Sequence, residues 1–395
     1  MALVKQWAGM RILAAFDKFK GSISAPRACE IAAAAAAGGK WDVDECPLSD
    51  GGDGFMEILT RAAGGIESRM AARGPRGKEV QAGFGVVSLK RIPSGARAML
   101  APEVAGTSGA IAVVEMASAS GLALLDGEMR DPLRTSSVGT GQLIGAAAAT
   151  RVRAIILGVG GSATNDLGLG ALGALGIGFA AEPGANLELP VPADWPRIRG
   201  MTGQLPKMIP PILIACDVDN PLFGPRGATA VYGPQKGLRP DDAAFFEDQG
   251  RRIAAMLCSH FGRPESLAAE PGAGAAGGIA FGFMAAAGAR LLPGFELVAS
   301  WIDLDARLAA ADIVMTGEGR FDETSLSGKG PGTVARRALA LGKPVHVFAG
   351  QIGPVKSLSG FFAHAITPPG MPLGEAMAEA PALLSKSVRQ VLADR

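Results

Sequence analysis

The chain has 395 residues, 48% of them hydrophobic and 19% charged, with a formal net charge of +1. That length supplies about two or three domains with real cores, the composition excludes a disordered chain, and the near-neutral balance gives no footing for a nucleic-acid or membrane-surface partner. The 56 glycines, about twice the usual share, gather in short runs without a collagen period, which points to tight turns or to backbone brought close to a ligand.

Taken in chain order, several segments repeat one grammar: an apolar run, a Gly-rich polar cluster, then a helical pattern. Met1 to Met10 is too short and too broken by Lys5 and Gln6 to read as a signal peptide. Arg11 to Phe16 leads into Asp17-Lys18-Phe19-Lys20-Gly21-Ser22 and an Ala-rich helix from about Pro26. Val43 to Leu48 leads into Ser49-Asp50-Gly51-Gly52-Asp53-Gly54 and a short helix from Phe55. From about Ala72 to Ser118 the pattern changes, and Val80 to Leu89 and Ile111 to Met116 read as hairpins or edge strands. Ala154 to Leu157 then precedes the densest small-residue run, Gly158 to Asp166, while residues 180–211 are Pro-rich with little periodicity and read as a surface excursion. Ile212 to Cys216 leads into Asp217-Val218-Asp219-Asn220-Pro221, Ile313 to Met315 into Thr316 to Asp322, and Pro344 to Phe348 into Ala349-Gly350-Gln351. Such alternation predicts α/β architecture with parallel sheets, where ligands sit beyond the carboxyl ends of the strands. The polar clusters fall at those ends.

The run Gly158 to Asp166 suits an anion cradle at a helix N-terminus, with Ser162, Thr164 and Asn165 as donors and Asp166 as metal ligand or base. Its plain alternative is a tight turn capped by Thr164 or Asp166. The run also satisfies G-x-G-x-x-A, but no carboxylate ends a strand about 20 residues on, as the dinucleotide fingerprint requires. A second Gly run, Gly272 to Gly277, has no strand before it and packs backbone on backbone or contacts a ligand. No P-loop pattern and no G-x-S-x-G occur. The carboxylates Asp50, Asp53, Asp166, Asp217, Asp219, Glu318 and Asp322 all follow strand-like runs and offer metal ligands and a base, the needs of phosphoryl transfer. Lys18, Lys20, Lys236, Arg320 and Lys329 sit beside glycines or in loops close to them and are candidate clamps on phosphate or carboxylate; the bidentate fork of Arg320 suits the substrate's acid group or the ATP phosphates. His260, His346 and His364 stand outside the polar clusters and read as structural, which leaves a carboxylate as the expected base. Cys29, Cys46, Cys216 and Cys258 form no C-x-x-C and predict reduced thiols in a cytoplasmic protein.

Together these clusters resemble the bacterial glycerate kinase family. Asp17 to Ala25, Pro47 to Gly54, Gly160 to Asp166, Asp217 to Leu222, Tyr232 to Gly237, Pro271 to Gly278, Thr316 to Arg320 with Asp322, and Gly328-Lys329 stand in family order over about Met10 to Gly350. Lys18 stands where many members carry Ser, Asp53 where Glu is common, and Phe55 where Thr is usual. The resemblance implies ATP- and Mg²⁺-dependent phosphorylation of D-glycerate, usually at the 2-hydroxyl, and admits a homodimer. It also implies a discontinuous Rossmann-like domain, 1–68 with 295–395, and an inserted α/β domain, 69–294, with the active site in the cleft between them. In that reading Asp166, Asp50 and Lys20 are catalytic. Arg320, Lys18, Ser22, Asn165 and Asp322 bind substrate. Gly160, Gly161, Ser162, Thr164, Gly317, Glu318, Lys236 and Lys329 bind ATP, and Asp217 and Asp219 hold the metal. The alternatives are a kinase of a related hydroxy or sugar acid, a nicotinamide-dependent hydroxy-acid oxidoreductase, and a ligand-binding sensor without turnover.

Overall fold

A computed structural model of the chain describes residues 9–39, 41–100, 102–106, 108–181, 185–327, 330–355 and 358–393. Gly328 and the predicted nucleotide ligand Lys329 lie outside the described residues. The chain divides into two compact units, Met1–Asp50 with Val298–Arg395, and Gly51–Leu297. The first crossing thus falls after residue 50, where the sequence suggested 68, and the return after 297, where it suggested 294. Helix Phe55–Ala62 goes with the inserted unit for a local reason. Its Met56 N–H donates to the buried Glu115 carboxylate at 3.1 Å, and the Phe55 ring fills the space a side chain on Gly158 would need.

The discontinuous unit is built on a five-stranded sheet with every neighbour parallel. Its order is Phe361–Ala365, Val345–Ile352, Ile313–Phe321, Arg11–Phe16, Asp42–Glu45. Ser24 opens helix Ala25–Ala36 by accepting the Arg27 N–H, with Pro26 in the first turn, where no intrahelical N–H is needed. That helix buries Ala28, Cys29 and Ala32 against Leu384 and Val388 of helix Leu373–Ala393. The chain runs from Arg11–Phe16 outward to Asp42–Glu45, then returns to the other side with Ile313–Phe321 and continues outward. The order therefore reverses between Arg11–Phe16 and Ile313–Phe321, which in an open parallel sheet is where a crevice for ligand opens.

The inserted unit carries a six-stranded sheet ordered Arg290–Leu292, Ile212–Ala215, Ile155–Gly158, Ala110–Glu115, Glu79–Ser88, Ile66–Arg73. The first four are parallel, and the last two add an antiparallel hairpin. The hairpin expectation thus holds for Val80 to Leu89. Ile111 to Met116 is instead an interior strand, paired on both sides and buried from Ile111 onward, because its Ala-Val-Val core fits between two faces that both need apolar cover. Residues 180–211 are no mere surface excursion. Gly178–Ala180, Asn186–Leu187 and Gly200–Thr202 form a small antiparallel sheet, and Trp195 is fully buried against Phe246.

The glycine runs of this unit serve close packing. The Gly160 N–H donates to the Gly51 carbonyl at 3.0 Å, and a Cβ on Gly160 would stand 2.6 Å from Gly52 Cα. Gly277, at φ +70°, would put a Cβ 2.1 Å from the Thr164 carbonyl oxygen, so the second Gly run packs backbone on backbone. Gly160→Ala is expected to cost about 1–3 kcal/mol, since only backbone stands in the way. Gly145→Ala, in helix Val138–Ala149 with its nearest contact at an ordinary 3.5 Å, is expected to gain about 0.4–1 kcal/mol. Urea unfolding of the two variants checks the pair, and equal effects would contradict the packing.

Candidate active site

In the discontinuous unit the functional groups gather where the strand order reverses. The Asp17 N–H donates to the Gly317 carbonyl at 3.0 Å, which ties the end of Arg11–Phe16 to its neighbour. The chain then turns sharply through Phe19–Ile23, with the Ser22 hydroxyl donating to the Phe19 carbonyl at 3.0 Å. Strand Ile313–Phe321 runs on through the residues expected to be loop, so Gly317, Glu318 and Arg320 are strand residues paired with Phe348, Ala349 and Gln351. Asp17, Lys18, Lys20, Asp50, Glu318 and Arg320 line one cavity of about 520 Å³, and Ser22 and Gly319 line it with them.

The electrostatics of this wall follow first from burial, with neighbouring carboxylates adding to it. Burial pushes the Asp17 carboxyl up to about 7; the Lys18 charge and amide pull it down, while Asp50 and Glu318 add to the rise. Burial also raises Glu318, against a Ser325 hydroxyl that lowers it, with Asp322 and Asp50 adding repulsion. Lys18 stands 3.8 Å from Asp50, and its backbone N–H donates to Asp17 Oδ1 at 2.7 Å. A cluster of this kind attracts a cation and holds one carboxylate ready to take a proton near neutrality. Asp17 is the residue that sequence reasoning missed. Its signal in the sequence is an Asp directly after the first strand.

The Gly158 to Asp166 run lies in the other unit, within a buried polar network. Asp166 is wholly buried and accepts four hydrogen bonds: from the Ser137 N–H (2.8 Å), the Ser137 hydroxyl (2.8 Å), the Gly168 N–H (3.1 Å) and the Gly170 N–H (3.2 Å). Burial raises its carboxyl, and these four donors oppose the rise. Both oxygens are committed to the fold, so Asp166 ties the loop to the N-terminal ends of two helices. Asn165 is likewise buried and donates to the Thr229 hydroxyl at 3.0 Å. Lys236 is 3% exposed and donates to the Ser162 hydroxyl (2.8 Å) and the Thr164 carbonyl (2.7 Å). Gly161 takes φ +72° beside them.

Lys236 makes stability depend on pH. Burial lowers its ammonium from 10.5 to about 7, with Asp166 pulling the other way. Between those values the unfolded chain binds a proton that the fold does not, so this group's cost falls as pH rises; below about 7 both states are protonated and the full cost remains. Urea midpoints between about pH 7 and pH 10 are expected to climb more steeply for the wild type than for Lys236→Met. Parallel slopes would contradict the buried, neutral lysine.

The remaining candidates are dispersed. Asp217 accepts the Phe295 N–H at 2.7 Å and so anchors helix Gly294–Trp301. Asp219 is exposed and paired with Arg226 at 3.1 Å. Among the described residues no three His, Cys, Asp or Glu side chains are grouped to hold a metal unaided. Arg320 pairs with Asp322 at 3.3 Å, and Asp322 accepts the Thr324 N–H and hydroxyl. Asp53 faces Gly161. His260 meets the Gly203 carbonyl, and His346 and His364 pair with each other at 3.0 Å; none lines the cavity. All four cysteines are free. No helix among the described residues is long and apolar enough to cross a membrane.

The family model described as the glycerate kinase family matches residues 12–394. The chain belongs to the glycerate kinase family. The glycerate kinase of Bacillus subtilis strain 168 is 35% identical over 97% of both chains. The glycerate 2-kinase of Escherichia coli K12 is 36% identical over 87% of this chain and 86% of that one. A crystal structure of a chain designated glycerate kinase 2, from Salmonella typhimurium LT2, superposes with a TM-score of 0.71 at 33% identity over 98% of each chain. As a member of the glycerate kinase family this chain is an enzyme, a phosphotransferase with an alcohol group as acceptor. The oxidoreductase and sensor alternatives fall away.

Proposed function

We propose that the enzyme transfers the γ-phosphoryl group of ATP to the 2-hydroxyl of D-glycerate, giving 2-phosphoglycerate, in a Mg²⁺-dependent reaction. The observation that carries this reading is the crowding of Asp17, Asp50 and Glu318 with Lys18, Lys20 and Arg320 around one cavity at the reversal of strand order. Phosphoryl transfer asks for cations on the anionic reactants, a base near the attacking hydroxyl and an oxygen-ligated metal.

In this reading Asp17 takes the proton of the attacking hydroxyl, which suits a carboxyl at about 7. Asp166 leaves that role because its oxygens are engaged in the fold. Arg320 and Lys20, both exposed at the cavity, hold the glycerate carboxylate and the transferring phosphoryl group. The donor set fits Mg²⁺. Such sites need only one or two carboxylates besides phosphates and water, and Asp50 and Glu318 line the same cavity. When bound, the ion would neutralise charge on the phosphates. The test is product identification by phosphorus NMR with Mg²⁺-ATP and D-glycerate. ADP with 2-phosphoglycerate supports the reading, 3-phosphoglycerate moves the acceptor, and no ADP release across several hydroxy acids sinks it.

A further inference from the structure

The cavity at the end of the first sheet has two unlike halves. The polar half, from Asp17 to Arg320, is accounted for by the transfer of a phosphoryl group to a small acid. The other half is lined by Ile366, Met371, Leu373, Ala376, Met377 and Ala380. A three-carbon acid has no apolar face to lay against such a wall, and it would fill only a small part of about 520 Å³, a volume within the usual range of sites for drug-sized ligands.

The core explains only part of this wall: Ile366 and Ala380 belong to the buried cluster and Ala376 is buried, while Met371, Leu373 and Met377 stand outside it. Helix Leu373–Ala393 is fastened to the unit by Ala380, Leu384, Val388, Val391 and Leu392, all in one cluster with helix Ala25–Ala36. Leu373 and Met377 stand outside that cluster, and Leu373 is 71% exposed. The first turns of the helix thus overhang the cavity and leave apolar side chains uncovered there. Gly21 packs closely against this helix: a Cβ on it would stand 2.8 Å from Met377 Cε. Two neutral polar side chains, Gln351 and Thr367, line the same cavity and are able to meet the donor and acceptor edge of a base.

We infer that this apolar half seats the purine ring of the nucleotide, between Met371, Leu373 and Met377, with its phosphates running toward Lys20 and Arg320. The base is thereby recognised by helix Leu373–Ala393 and not by the Gly158 to Asp166 run, in which Gly158 and Gly160 are packed against the backbone of Gly51 and Gly52. The inference rests on the kinase reading and adds where its nucleotide is selected. Apolar, neutral polar and cationic side chains lining one cavity match the three parts of a nucleoside triphosphate: a flat ring, its edge and a polyanion.

Calorimetric titration with ADP and, separately, with inorganic tripolyphosphate tests it. Leu373→Asp, at an exposed position that carries no risk to the fold, is expected to weaken ADP binding by about tenfold or more, and Met377→Ala by less, while tripolyphosphate affinity stays within about twofold. Unchanged ADP affinity in both variants overturns the inference, as does equal loss of ADP and tripolyphosphate. Turnover is scored apart. Glycerate-dependent ADP release by a wild type whose ADP affinity ignores Leu373 leaves the kinase reading standing without this base site. ADP binding that depends on Leu373 without such turnover does the reverse.

Discussion

Asp17→Asn is expected to lower kcat by about 10²- to 10⁴-fold, the usual worth of a positioned general base, while moving the thermal midpoint by no more than about 2 °C. The substitution is isosteric. Its amide oxygen still accepts the Lys18 N–H that Asp17 Oδ1 holds at 2.7 Å, so the turn after the first strand keeps its shape. It also removes one negative charge from a site where Asp50 and Glu318 already repel it, so the fold has little to lose. What disappears is the acceptor for the hydroxyl proton. Steady-state kinetics with ATP and D-glycerate, beside a thermal melt, decide the matter. A variant that keeps kcat within about threefold would move the base to another carboxylate of the cavity.

Asp166 is expected to behave in the opposite way. Asp166→Ala leaves two Ser137 donors and the Gly168 and Gly170 amides without their acceptor in a dry interior. It also strips the counter-charge that eases the burial of Lys236. Unsatisfied buried donors cost about 1–3 kcal/mol each, offset in part by relaxation, so a loss of about 3–5 kcal/mol in urea unfolding is expected. Asp166→Asn keeps one oxygen acceptor and should lose less stability, with kcat per folded molecule within a few-fold of wild type. If Asp166→Asn folds normally and is inactive, the residue returns to the chemistry.

These two residues also show what was legible in the sequence. The strand–loop–helix grammar survived because apolar runs such as Ile155–Gly158 and Ile212–Ala215 must be buried wherever they sit, and a parallel sheet is their natural place. Ile111 to Met116 was misplaced because a short apolar run does not name its neighbours; pairing with Ile155–Gly158 is a tertiary fact. Thr316 to Phe321 looked like loop because Gly317 and Gly319 are poor strand formers, and its pairing with Val345–Ile352 overrides that preference. Asp166 resembled a catalytic group because small and polar residues surround it, and the same composition serves a buried network just as well. Asp17 and Glu318 lie about 300 positions apart in the chain, and only the reversal of strand order brings them to one cavity.

That distance has a consequence during synthesis. Strand Arg11–Phe16 is an interior strand of its sheet, yet its partner Ile313–Phe321 leaves the ribosome about 300 residues later, which at roughly 5–20 residues per second means about 15–60 s. In that interval only Asp42–Glu45 can pair with it, and two strands alone are marginal in water. The inserted unit, complete by Leu297, can mature first. A nascent chain stalled once Leu297 has cleared the ribosome, but before Ile313–Phe321 has, would therefore present a finished globule with an open, apolar strand edge, the kind of species that chaperones hold and that aggregates when they do not.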